Sequence, residues 1–279
     1  MKVALPEFRD KLEDCLEARG AQDIALDQAS AMVQWAERVH RCGVAYLAQK
    51  RDAYSKLDIN AVKLQIEKGN ASFLDAGGQS LAVAGPQALE KAMLTARESG
   101  IGLAVISNVC DLIGVGQLVE QALAEGHACF ATYVVDPASE EGTVLTEVYG
   151  HIRGIAAVAG SSNSIRTELH GLPSSHGNFM RGNAPTNLGD LVVSTLSEGK
   201  SLVPGCTLLC LDLPDLYDDL IKGLEAGVEE APARLFYPAE LSTRSLEVSE
   251  DGFEVDEEEW QILAEEEGLL PPPEGTAEV

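Results

Sequence analysis

Asp111 stands four residues beyond an apolar run, Ile101 to Ser107, and just ahead of Gly114-Val115-Gly116. The carboxyl edges of strands are where α/β folds place their chemistry, which makes Asp111 a candidate catalytic carboxylate. An aspartate ahead of a helix also serves as an N-cap, so a structural role stands beside the catalytic one. As a proton donor it works only if burial raises its pKa toward neutrality. Gly114 and Gly116 open the next helix, and free amides at a glycine-rich helix start can hold an anion. A tight strand-to-helix turn explains the same two glycines. His170 and His176 bracket a loop rich in Gly, Ser, Asn and Pro. An imidazole there suits general acid/base work, with a solvated loop histidine as the plainer reading. Their spacing matches no metal-binding pattern. None of the dinucleotide fingerprint, P-loop, HExxH, GxSxG or EF-hand patterns occurs. The six cysteines form no CxxC pair, and Cys206 and Cys210 lie in an apolar run, so free buried thiols are expected. A thiolate at Cys110 is disfavoured by Asp111 beside it.

Regular elements must position these groups. Pro6 opens a helix over Glu7 to Arg19 that stops at Gly20, and a second helix runs from Asp27 to Val39. A third is expected from Ile59 to Lys68. Short strands follow at Ser72 to Asp75 and Gln79 to Ala84, about a Gly77-Gly78 turn. An alternation then begins, with a helix over Pro86 to Ser99 and a strand over Ile101 to Ser107. A helix over Gly116 to Glu125 and a strand over Ala128 to Val135 continue it. Two or three strands are expected between Thr143 and Arg166, and a loop over His170 to Pro185. A helix over Asn187 to Ser197, a strand over Cys206 to Leu213 and a helix over Leu216 to Ala226 follow. The chain then turns polar after Pro238, and a last helix spans Asp256 to Glu267. The class is α/β with a helical N-terminal portion.

The chain has 279 residues, 45% of them hydrophobic and 23% charged, enough for a soluble globular core in one large domain or two intimate ones. No apolar run is long enough for a membrane span. The opening lacks a signal-peptide core, so a cytoplasmic location is expected. The 45 acids against 20 bases give a net charge of −25. Such a surface repels phosphate backbones and argues against nucleic-acid partners. From Ser245 to Val279 there are 13 acids and no Lys or Arg, an arm that is either a solvated face or a docking element for a basic partner.

Read in order, several stretches resemble the type-2 malate/L-lactate dehydrogenase family, whose relatives include ureidoglycolate and sulfolactate dehydrogenases and Δ1-piperideine-2-carboxylate reductase. The clearest is ALEKAMLTARESGIGLAVISNVCDLIGVGQLVEQALAEG, from Ala88 to Gly126. It is similar to the family's helix, GIGL strand, catalytic turn and helix. Leu5 to Gly20 resembles its first helix, Val148 to Gly160 its GTNP segment, Leu188 to Gly199 its GYKG helix, and Tyr237 to Leu269 its C-terminal arm. The resemblance implies a mixed-sheet nicotinamide-binding fold that is not of the Rossmann type. A helical dimerisation portion would span residues 1–70, an α/β domain 71–235, and an arm with its helix 236–270, before a disordered tail at 271–279. It also implies a homodimer and NAD or NADP as cofactor. The chemistry implied is hydride transfer to or from a small 2-oxo or 2-hydroxy acid, or a cyclic imine carboxylate.

The family's catalytic histidine lies in an S-N-H-F-G turn, and here Asp111 holds its place in Ser107-Asn108-Val109-Cys110-Asp111. Cys42 replaces the family's H-G-x-x-R histidine and Tyr46 its arginine, removing a fork that suits a carboxylate. The chain is shorter than family members between Ile165 and Leu188, and the GYKG lysine has no counterpart. Carried over residue by residue, the site comprises Asp111 and His176 as acid/base groups, and Tyr46 and Arg181 at the substrate. Asn108, Gly114 and Gly116 would stand at the cofactor. A lyase or isomerase on the same scaffold and a non-catalytic relative are the alternatives.

Overall fold

The apolar run Ile101–Ser107 forms the strand around which the sheet is assembled, and Gly102 in it sets how closely a helix can lie on that sheet. In a computed structural model that describes residues 1–49, 54, 57–135, 154–160, 205–212, 233–236 and 252–267, a Cβ at Gly102 would collide with the Ala92 carbonyl. The helix backbone therefore rests directly on the strand. Helices α1 (Leu5–Ala18), α2 (Asp23–His40) and α3 (Gly43–Gln49) precede the strands β2 (Lys63–Lys68) and β3 (Ala71–Asp75). Then come α4 (Leu81–Ser99), β4 (Ile101–Ser107), α5 (Val115–Ala124) and β5 (Ala128–Val135). Strands β6 (Gly154–Gly160), β7 (Gly205–Leu211) and β8 (Ala233–Phe236) follow. Two short strands, β1 (Lys2–Val3) and β9 (Phe253–Glu254), stand outside this series, and α6 (Glu257–Glu267) follows β9.

Seven strands make one mixed sheet in the order β2-β3-β4-β7-β5-β6-β8. Strands β3 and β4 run parallel, so their carboxyl ends lie side by side, with Asp75 opposite Ser107. Strand β7 pairs antiparallel with β4 on one side and β5 on the other. Helices α4 and α5 cover one face, and α1, α2, α3 and α6 pack beyond them. The core runs through both layers, from Ala104 and Leu208 in the sheet to Leu12, Leu16, Met32 and Leu47 in the outer helices. The mixed α/β class expected from the sequence is the class observed.

Two expectations are corrected. The helix expected over Ile59 to Lys68 is a single 3-10 turn, Ile59–Ala61, followed by β2. KLQIEK is rich in helix formers, but Lys68 pairs with Ala71 across a two-residue loop, Gly69-Asn70, with φ at Gly69 of +57°. That loop is a hairpin signal, and it overrides composition. The strand expected over Gln79 to Ala84 is instead the first turn of α4, capped by the Ser80 side chain, which accepts from Ala82 N at 3.1 Å. Pro86 therefore sits inside the helix rather than at its start. The short helix α3 and the strands β1, β8 and β9 were not expected. The strands at Ile101 and Ala128, the second strand's partner from Cys206, and the helices α1, α2, α5 and α6 lie where expected within a few residues. The loop at 170–185, the helices at 187–197 and 216–226, and the tail at 271–279 fall outside the described residues.

The two ends of the chain clasp each other. Strand β1 pairs with β9, Val3 opposite Phe253. The Phe8 ring lies 4.3 Å from that of Phe253 and stacks on Trp260 at 5.5 Å. Phe253, Val255, Trp260 and Leu263 are all buried. Gly252 has a φ of +128°, and a Cβ there would meet the Val3 carbonyl. These four apolar side chains of the acidic arm are therefore part of the core. Deleting Ser245 to Val279 should strip these contacts and replace the cooperative thermal transition by a broad or absent one. A sharp transition in the truncated chain would show that the clasp is dispensable. In the sheet, Gly102→Ala should lower stability by about 1–3 kcal/mol in urea unfolding, the usual cost of overpacking. An unchanged urea midpoint would mean that α4 can lift away freely.

Candidate functional site

The parallel pair β3 and β4 brings two turns together at its carboxyl end, and hydrogen bonds lace them. Ala76 N donates to Ser107 O at 2.8 Å, Gly78 N to Asn108 O at 2.8 Å, and Cys110 N to Gln79 O at 3.0 Å. Asn108, at a φ of +58°, adopts the left-handed conformation that asparagine tolerates. Its Nδ2 donates to Asp75 Oδ1 at 2.9 Å, and Gly77 N donates to the same oxygen at 2.8 Å. These two bonds, the backbone one first, hold the half-buried Asp75 carboxylate below its usual range. Asp75 and Asn108 form a polar rim open to solvent.

Asp111 lies beneath that rim and is completely buried. Burial pushes its carboxyl above the usual 3.8, against hydrogen bonds from the Ser80 hydroxyl, Ile113 N, the Cys110 thiol and Leu81 N. Ile113 N reaches Oδ1 at 3.3 Å and Cys110 Sγ reaches Oδ2 at 3.5 Å. Asp111 thus anchors the first turn of α4, the helix that follows the neighbouring strand. The Tyr54 hydroxyl lies within hydrogen-bond distance of Ser80 Oγ, at 3.3 Å. Its pKa is driven well up by burial and then by the Asp111 charge beside it. Tyr54, Ser80, Cys110 and Asp111 make one polar cluster inside an apolar core. Neither Tyr54 nor Ser80 was singled out from the sequence. Ser80 carried a signal, a serine directly ahead of an apolar helical run, whereas Tyr54 carried none.

The glycines ahead of and within α5 serve packing. Gly114 has a φ of +74°, and a Cβ there would stand 2.8 Å from Met32 Cε and 3.0 Å from Met32 Cβ. Val115 and Gly116 are buried in the first turn of α5. Met32 thus fills the space beside Gly114.

Tyr46 lies in α3 and is buried, with 1% exposure, so its ring faces the core rather than solvent. Cys42 is likewise buried, and burial, with Glu37 and Glu259 nearby, pushes its thiol up to about 12. Glu37 is buried too, and Val44 N donates to its Oε2 at 3.0 Å. Burial raises that carboxyl above its usual value, against the bonds from Val44 and Gly43. The close approach of α2 at this point excludes any side chain at Gly43, where a Cβ would meet the Val33 carbonyl. His176 and Arg181 fall outside the described residues, as do His151 and His170. No group of three or more His, Cys, Asp or Glu that could hold a metal occurs among the described residues. No described helix is long and apolar enough to cross a membrane.

Solved structures show the same architecture. Sulfolactate dehydrogenase from Methanocaldococcus jannaschii superposes with a TM-score of 0.61 at 15% identity, over 95% of this chain and 96% of that one. Malate dehydrogenase from Pyrococcus horikoshii OT3 gives 0.61 at 12% identity, over 95% and 94%. Δ1-Piperideine-2-carboxylate reductase from Pseudomonas syringae pv. tomato gives 0.53 at 14% identity, over 95% and 99%. No family model matches the chain, and no curated protein matches it by sequence. The chain therefore has the malate/lactate dehydrogenase-like fold that the resemblance in its sequence implies.

The raised carboxyl of Asp111 fixes the sign of a pH effect. A carboxyl with a folded-state pKa above its unfolded one supports the fold most fully below 3.8, and that support is lost as pH rises through the folded value. Asp111→Asn cannot ionise. The stability of Asp111→Asn relative to the parent chain should therefore improve steadily as pH is raised from about 4 toward 7. Urea midpoints measured across that range test this. A pH-independent difference would mean that Asp111 titrates alike in the folded and unfolded chains.

Proposed function

We propose that the chain is an oxidoreductase that moves a hydride between NAD(H) or NADP(H) and a small 2-oxo or 2-hydroxy acid, or a cyclic imine carboxylate. The observation that carries this reading is the end-to-end likeness to solved dehydrogenases and a reductase whose names specify such acids. The position of Asp111 adds to it, at the carboxyl edge of parallel strands with a carboxyl whose pKa burial raises. In this reading Asp111 exchanges the proton and His176 is the second acid/base group. Arg181 supplies positive charge for the substrate carboxylate, with Tyr46 behind the substrate, and Asn108 meets the cofactor. Gly114 and Gly116 shape the turn that carries Asn108 and Asp111. The homodimer and the cytoplasmic setting expected from the sequence belong to the same proposal.

A second reading, a relative that has lost catalysis, is favoured by one specific feature. The Asp111 carboxylate is wholly buried and engaged by the Ser80 hydroxyl, two backbone amides and the Cys110 thiol, so it acts as a helix anchor. Burial of Cys42 and Tyr46 at the family's substrate-binding positions points the same way.

Titration with NADH and NADPH, read by energy transfer from Trp35 and Trp260 and by the thermal midpoint, separates the two readings. A cofactor that binds only the folded chain should stabilise it by about 2.7 kcal/mol at a hundredfold excess over Kd. Asp111→Asn should then retain binding and lose reduction of 2-oxo acids and cyclic imines. No shift with either cofactor at millimolar concentration would overturn the oxidoreductase reading. An Asp111→Asn protein with full turnover would remove Asp111 from the mechanism.

A further inference from the structure

Toward the opposite end of the strands from Asp111, two cysteines on the central strands face each other. Cys129 of β5 stands directly opposite Cys210 of β7, and their sulfurs are 3.8 Å apart. Both are free thiols. Directly opposed residues of antiparallel strands have Cα atoms about 4.5–5.5 Å apart, inside the window of about 4.4–6.8 Å that a disulfide spans. The neighbours in the same cross-strand row are glycines, Gly102 beside Cys210 and Gly160 beside Cys129. We propose that Cys129 and Cys210 form a reversible cross-strand disulfide that staples β5 to β7.

The pair is buried but lies close to the end of its ladder. It occupies the second rung from the end of the β5–β7 ladder, whose last rung is Ala128 opposite Leu211. Just past that rung a charged corner begins. His127 Nδ1 lies 2.6 Å from Asp212 Oδ1, and Arg97 holds both the imidazole, Nε to Nε2 at 3.1 Å, and Glu125, at 2.8 Å. The Asp212, Arg97 and Glu125 side chains are 28%, 48% and 41% exposed. Strand ends open more readily than strand centres, so fraying of one or two rungs brings the thiols to water.

The oxidant is a low-molecular-weight disulfide such as glutathione disulfide. One protein thiol gives up its proton and attacks the external disulfide, forming a mixed disulfide and releasing one small thiolate. The second protein thiol, deprotonated in turn, attacks the protein sulfur of that mixed disulfide and releases the second small thiolate. The two thiolates take up the two protons. One protein disulfide and two small thiols result, and the protein loses two electrons to the oxidant. The hydrogen bond it donates to Cys129, together with burial, raises the Cys210 thiol well above its usual range. Exchange therefore waits on the strand ends opening and is slow in the intact fold.

The full-length chain incubated with glutathione disulfide tests this. The expected product has lost two hydrogens from its intact mass, carries no glutathione at either site, and yields a peptide joining Cys129 to Cys210. Its thermal midpoint should rise and return on treatment with dithiothreitol. Urea below the unfolding transition should speed the reaction several-fold. Cys129→Ala and Cys210→Ala should each abolish the cross-link. The peptide map of the parent chain stands even if either variant folds poorly. The proposal is overturned if both thiols remain alkylatable on later unfolding. A stable glutathione adduct at either position, in place of the cross-link, overturns it as well.

Discussion

Sinking the start of a long helix into the core is the constraint on which this structure turns. The first amides of α4 have no partners within the helix, and α4 begins beneath the turn that follows β3, where water does not reach them. The chain answers with two acceptors from different places. Ser80 caps from within, and Asp111 reaches across from the turn after β4. The carboxylate loses its hydration there, which raises its pKa, and recovers part of the loss through donors that close around it. One side chain thereby ties the starts of α4 and α5 to the ends of two parallel strands. Helix α4 can then lie flat on the sheet, its backbone against Gly102.

The same economy shows in how the acidic charge is distributed. The C-terminal segment carries a large share of the surplus acids, yet its apolar residues fill a gap over α1. Phe253 and Trp260 meet Phe8, while Glu257 and Glu258 stay in water on the outer side of α6. Asp256 accepts from Glu258 N and Glu259 N at the start of that helix, so one acid is used as a cap and its neighbours as solvated charge. The net charge of −25 thus governs solubility and the exclusion of polyanions without setting the fold.

What the sequence disclosed follows from which forces are local. The strands at Ile101 and Ala128 were legible because apolar runs bounded by glycine and polar residues carry their own signal. Strand β2 was not, because all six of its residues are exposed and no burial pattern marks them. Its state is decided by β3 across the hairpin. The start of α4 was hidden by Pro86, which reads as a first-turn residue and stands one turn inside. For the site, the approach to Asp111 was visible in the run from Ser107 to Gly116. The turn of its side chain inward to a serine thirty-one positions earlier was not, since no spacing rule connects them. Tyr46 and Cys42 illustrate the same limit, because a family alignment locates a position without saying whether its side chain meets solvent or core.

The clasp between the chain's ends bears on how the protein is made. Phe8 leaves the ribosome well ahead of the rings that cover it, Phe253 and Trp260, which follow 245 and 252 residues later. At translation rates of roughly 5–20 residues per second, the apolar stripe of α1 waits on the order of 10–50 s for its cover. Throughout that interval it is a ready surface for a chaperone. The sheet and α4 can assemble in the meantime, while α1 and the clasp are among the last parts to be secured.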